Sequence, residues 1–175
     1  MSLLERYLDS DNRVFPMATN QITLKQIRSV EKSLGIQLPS EYVAHLLAED
    51  CNLLCERGLY IEVKEDIWER PKEGDVGSYW SFLYGIHTYT ASDLSDDWMK
   101  LESVGQQFRQ ETGIKAVPVL KIINDPDVYC VDESRNIKQF NHETNELLPT
   151  NMDFWQIFEL ELKELSRRKD QKNRI

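Results

Sequence analysis

Residues Ile22 to Leu47 read ITLKQIRSVEKSLGIQLPSEYVAHLL, and their local signals agree on two short helices joined by a Gly/Pro corner. Thr23 is a good N-cap, with Gln26 three residues on as a capping box requires. Ile22 and Ile27 are placed to form the hydrophobic staple of that start. Ile27, Val30 and Leu34 fall at helical spacing and make one apolar face. Gly35 follows where a left-handed C-terminal residue is expected. Pro39 opens the second helix, since its missing N–H costs nothing in a first turn. Glu41 lies in that turn, where the helix dipole favours an anion. Tyr42, Val43, Leu46 and Leu47 supply the second buried stripe.

Around this hairpin the chain alternates in character. Leu3, Leu4, Tyr7 and Leu8 give a short N-terminal helix within an extension of residues 1–21. Leu59–Val63 reads as a strand, and so does Ser81–Ile86. Between them, Lys64 to Gly77 reads as a long loop, a length that is often functional. Ser95-Asp96-Asp97 reads as a cap with acids in the first turn of a helix carrying Trp98, Leu101, Val104 and Phe108. Pro118–Ile123 is an apolar strand, Asn124–Asp127 a turn, and Val128–Val131 and Asn136–Phe140 further strands. Thr150 or Asn151 caps a last helix with Phe154, Ile157, Phe158, Leu162 and Leu165 on one face. The connections are mainly too short for parallel crossovers. The reading is therefore α+β, a mostly antiparallel sheet flanked by helices, in one domain spanning residues 1–175.

Ile27, Glu31, Leu34, Gly35, Leu38, Pro39, Glu41, Tyr42, Leu46 and Leu47 together resemble the opening of the SUKH superfamily, which takes in fungal cell-wall-assembly regulators and bacterial immunity proteins. Asn52 holds the place of the family's usual Asn-Gly, but Leu53 stands where glycine is common. Val117–Ile122, the Asp/Asn turn and Val128–Asp132 resemble the family's paired central strands. The strand around Ile137 and the aromatic helix at Phe154-Trp155 follow in the family's order, so the likeness runs from about Ile22 to Leu165. Within the superfamily it is most similar to YobK-type immunity proteins, partners of LXG-type ribonuclease toxins. The resemblance implies a single SUKH-like domain that neutralises a cognate toxin. It also leaves an alternative: an intracellular scaffold or regulator.

Composition bounds the rest. The 175 residues hold 41% hydrophobic side chains and a net charge of −9, ordinary for a globular protein. The last ten residues, 166–175, form a basic tail with five bases against one acid, leaving −13 on the first 165. A body that acidic repels nucleic acid and attracts basic partners. No apolar run approaches the ~18–20 residues a membrane span needs. The N-terminus has acids in place of a signal peptide's basic region, so a cytoplasmic location is expected. Three cysteines fit a reducing compartment.

The usual phosphate-binding, nucleophile-elbow and metalloprotease motifs are missing, and neither an enzyme nor a cofactor is expected. His45, Cys51 and Cys55 are the nearest approach to metal-ligand spacing, with Cys130 as a distant fourth, but the set does not make a zinc pattern. What remains is acid interleaved with aromatics. The candidate partner-binding residues are Glu65, Asp66, Trp68, Glu69, Glu73, Asp75, Asp96 and Asp97, with Tyr84 and Trp98 assigned to the core. Aromatic anchors in a charged rim suit protein recognition. The expected partner is a toxin, a nuclease with a basic toxin domain, blocked by carboxylates set where phosphates would bind. An aromatic patch leaves a homo-oligomer possible, but self-association has no support in the sequence.

Overall fold

A computed structural model describes residues 2–47 and 57–175. Among these, the elements run α1 (Leu3–Tyr7), β1 (Asn12–Pro16), α2 (Leu24–Leu34), α3 (Ser40–Leu47), β2 (Leu59–Val63), β3 (Gly85–Thr88), α4 (Leu101–Thr112), β4 (Val117–Ile122), β5 (Val128–Val131), β6 (Ile137–Asn141), β7 (Glu146–Pro149) and α5 (Phe154–Asn173). The fold is α+β. The strands form one antiparallel meander in sequence order, β1 to β7.

The helical corner forms as its capping residues dictate. The Thr23–Gln26 capping box closes α2, and Gly35 ends it in the left-handed region at φ 64°. Glu31 then holds the turn: its buried carboxylate accepts from the Leu38 N–H at 2.8 Å and pairs with Arg28. That satisfies a backbone donor that would otherwise be buried unpaired. The Asn52-Leu53 loop lies outside the described residues.

Cross-strand register divides the sheet into two faces. Val14, Ile61, Ile86 and Ile122 are successive partners in one row. Their face is packed by Ile27, Tyr42, Leu46, Phe154, Ile157, Phe158 and Leu162 in the main core. The opposite face carries a row that crosses all seven strands: Phe15, Tyr60, His87, Lys121, Val128, Phe140 and Leu147. Over its β5–β7 half, Phe108 of α4 packs with Val128, Cys130 and Phe140, its ring 5.0 Å from Phe140 in a T-shaped contact.

Several boundaries differ from expectation, each for a physical reason. β1 and β7 are edge strands that were not anticipated, and each ends in proline, Pro16 and Pro149. Proline blunts an edge and weakens its sequence signature. Tyr79–Phe82 forms a 3-10 turn, so the strand expected at Ser81 begins at Gly85. Gly85 is required there, since a Cβ would lie 2.6 Å from the Ile61 carbonyl oxygen. Asp97–Met99 is likewise a 3-10 turn, and α4 starts only at Leu101. Asp153 caps α5 in a box with Gln156, in place of Thr150 or Asn151.

The basic tail is mostly helix. Arg168 is buried and donates from Nε to the Leu83 carbonyl, and buried Lys169 pairs with Asp9 at 2.5 Å and Asp11 at 3.4 Å. Lys169 thus ties the closing helix to the N-terminal loop, and Arg168 ties it to the segment before β3.

Tyr42 links α3 to the strands. Its hydroxyl donates to the Tyr89 carbonyl at 3.0 Å and accepts from the Tyr89 N–H at 3.1 Å, all in the interior. Tyr42→Phe should lower stability by about 1–3 kcal/mol, because two buried backbone groups lose their partner. Urea unfolding checks this: the midpoint should fall with the slope unchanged.

Candidate functional site

The β1–β3 half of the long row carries a cluster of aromatic rings. Phe15 and Tyr60 stack at 4.7 Å with planes 16° apart, and Tyr60 and His87 continue the stack at 5.8 Å and 10°. Trp98 stands nearly perpendicular to both, 6.2 Å from Tyr60 and 5.6 Å from His87. Among the described residues, Trp98 is the ring set against both Tyr60 and His87, and 46% of that residue is exposed. Tyr60 also donates to Glu62 Oε2 at 3.3 Å. Burial, then Glu62, raise its hydroxyl pKa to about 12.

The expected site residues fall into two groups. Glu65, Asp66, Glu69, Glu73 and Asp75 are exposed on the loop after β2. Lys64 N–H donates to the Asp11 carbonyl there, beside the start of β1. Asp96 and Asp97 are exposed near the other end of β2, where Ser95 donates to the Met17 carbonyl and Met17 N–H to that of Gly58. The strand between them separates the groups by roughly 15 Å. The acids thus flank the aromatic row instead of merging into one patch.

Some of those carboxylates are engaged. Glu69 pairs with Lys72 at 3.1 Å, and Asp97 pairs with Lys100 at 2.9 Å. Asp75 accepts from the Lys72 N–H. The Lys100 hydrogen bond chiefly holds the Asp97 carboxyl below its ordinary range. Asp66, Glu73 and Asp96 have no ion-pair partner among the described residues. Glu62 is buried and bonded to Arg13 and Arg70, so it adds no open negative charge.

Two tryptophans exchange the places expected of them. Trp68, assigned to the contact surface, is fully buried, and its Nε1–H donates to the Ser81 carbonyl at 2.9 Å. A tight turn causes this: the Ile67 and Trp68 N–H groups both bond the Lys64 carbonyl, folding the indole back under the sheet against Trp80. Trp98, assigned to the core, is the exposed one of the two. Tyr84 is partly buried against the core, as expected, with the Arg70 guanidinium 3.9 Å from its ring centre.

Trp98 was missed although the sequence carries a signal for it. Tyr60 alternates with Leu59 and Ile61, and His87 with Ile86, so both point away from the core face. Trp98 directly follows two acids. Leu94, 74% exposed, precedes them on the same loop.

The three histidines have structural surroundings. His45 is enclosed by the rings of Tyr42, Phe154, Trp155 and Phe158, and its Nε2 lies 2.7 Å from the Thr88 hydroxyl. Cys51 and Cys55 lie outside the described residues. Cys130 sits on the opposite sheet face from His45, among Phe108, Val128 and Phe140, so it cannot complete a shared metal set. Burial raises its thiol pKa. His142 bonds Asp127 at the surface, 2.7 Å from Nδ1 to Oδ1.

No family model matches the chain, and no curated protein or solved structure matches it. No helix among the described residues is long and apolar enough to cross a membrane.

Burial holds the His45 pKa at about 3 and, with Lys121 adding to the effect, that of His87 at about 4. The folded protein then binds fewer protons than the unfolded chain once pH drops below the ordinary histidine value of about 6.5. The stability these groups contribute is complete above that value and is lost as pH falls toward 4. Each histidine should steepen the loss by at most about 1.4 kcal/mol per pH unit. Urea midpoints between pH 7 and 5 should fall, and His45→Gln should fall less steeply than the parent.

Proposed function

We propose that this protein is a SUKH-type immunity protein of the cytoplasm that neutralises a basic nuclease toxin by occupying its nucleic-acid site, one-to-one and without catalysis. The observation that carries the reading is Trp98: a half-exposed indole propped on a stacked aromatic row, with Asp96 and Asp97 immediately before it. An exposed ring held by packing is a good anchor, because little side-chain freedom remains to be lost on binding. The carboxylates beside it attract a basic surface and speed its capture. The order of elements also agrees with the resemblance: a helical corner, an antiparallel meander and a closing aromatic helix.

The acidic loop Glu65–Asp75 acts from the other end of β2, as a second and weaker arm. Its carboxylates are exposed and partly neutralised by Lys72, so salt screens them readily. Trp68 contributes to the interface only by holding that loop in place.

The test is titration of a basic nuclease toxin domain, sought in the neighbouring open reading frame, read as inhibition of its nuclease activity and as binding heat. Stoichiometric one-to-one inhibition is expected, with association slowing as salt rises. Asp96→Lys with Asp97→Lys should raise Kd by at least about tenfold, and Glu69→Lys with Glu73→Lys by less. Undiminished inhibition by the first variant would show that contact lies elsewhere; absence of any complex would end the immunity reading.

A further inference from the structure

The protein already contains one guanidinium seat of its own making. Arg70 lies 3.9 Å from the centre of the Tyr84 ring, and its Nη2 reaches Glu62 Oε2 at 3.2 Å. The same side chain donates to the carbonyls of Trp68 and Val63. An aromatic face below and a carboxylate at the edge together hold a planar cation, which is the geometry guanidinium prefers.

The other end of the sheet holds the same ingredients without the cation. The Trp98 indole is 46% exposed, and Asp96 and Asp97 are both exposed beside it. Among the described residues, the cations seated over rings are Arg6 on Tyr7 and Arg70 on Tyr84, and none sits on Trp98. The neighbouring bases are tied down. Lys100 is held by Asp97 Oδ1 at 2.9 Å, and Lys121 donates to the Asp125 carbonyl at 2.7 Å. Among the described residues, Asp96 and the second oxygen of Asp97 therefore remain as open acceptors. Tyr60 and His87 fix the indole from beneath.

We propose that Trp98, Asp96 and Asp97 form an arginine seat that receives a guanidinium side chain from the protein partner, in preference to a lysine. This rests on the reading of the surface as a docking face for a basic protein, and it names the side chain that docks. A guanidinium can lie flat on the indole while its edge N–H groups bond a carboxylate. A lysine ammonium is a strongly hydrated point charge and gains less from the ring. Charge alone would favour both equally; the exposed ring makes the difference.

The experiment titrates the full chain with three peptides of the same spacing, carrying arginine, lysine or neutral citrulline at the cationic positions. The arginine peptide should bind about fivefold tighter than the lysine peptide, and the citrulline peptide weakest. Trp98→Leu should bring the arginine and lysine affinities together, with an unchanged far-UV circular dichroism spectrum to show that the fold is kept. Asp96→Asn with Asp97→Asn should weaken both cationic peptides. Equal arginine and lysine affinities, no binding of either, or a preference that survives Trp98→Leu would each overturn the seat. If wild-type protein still captures the toxin alongside any of those results, only the seat is lost; failure to capture the toxin is the separate failure of the immunity reading.

Discussion

The structure depends on one buried polar knot. The Tyr42 hydroxyl bonds both backbone groups of Tyr89. One residue earlier, the Thr88 hydroxyl accepts from the Leu59 N–H at 2.9 Å and meets His45 Nε2. Two residues of α3 thereby fix β2 and the end of β3 at once. In a low-dielectric interior such a network rigidifies what it joins, since each group left unpaired would carry a desolvation cost. The chain leaving this knot runs through Thr90, whose N–H and carbonyl bond Met99 and Leu101. Those bonds close the loop that presents Asp96, Asp97 and Trp98. The exposed indole is thus positioned, at short range, by the same residues that dock the helical corner onto the sheet.

The corner itself was legible because its signals are local. Thr23, Gln26, Gly35 and Pro39 act through backbone conformation within a few residues, so the sequence carries the whole argument. Glu31 was legible only as a matching position; its role as acceptor for the Leu38 N–H needs the turn to exist first. The edge strands were not legible, since Asn12–Pro16 and Glu146–Pro149 are short, carry only two adjacent apolar residues each before the proline, and end in a residue that cannot donate to a ladder. The two tryptophans were not separable by neighbourhood, because both sit among acids. What separates them is tertiary: Trp68 is turned inward by bonds to the Lys64 carbonyl, whereas Trp98 stands on a stack assembled from three strands.

Charge was informative in total and misleading in detail. The acidic excess is real, but buried Glu62 and Glu31 are each matched by arginine. Part of the basic run at the C-terminus is structural, with Arg168 and Lys169 inside the fold. Lys169 reaching Asp9 and Asp11 closes the chain ends onto one another. The charge left at the surface is therefore not the formal charge of either stretch, and part of its acidic share lies at the two ends of β2.

The single row from Phe15 to Leu147 explains why that remainder is useful. Half of the row is sealed by α4, and its hydrophobic residues there serve stability. Over the other half, the described residues set Trp98 against Tyr60 and His87, a half-exposed ring held by packing. His87 completes the arrangement. It is buried beneath Trp98, and its Nδ1–H donates to the Thr88 carbonyl at 3.0 Å. Burial keeps the ring uncharged at neutral pH, so the imidazole itself adds no positive charge beneath the indole. A protonated imidazole at the same place would oppose the carboxylates of Asp96 and Asp97. The packing that stabilises the sheet therefore also keeps that imidazole from offsetting the two carboxylates.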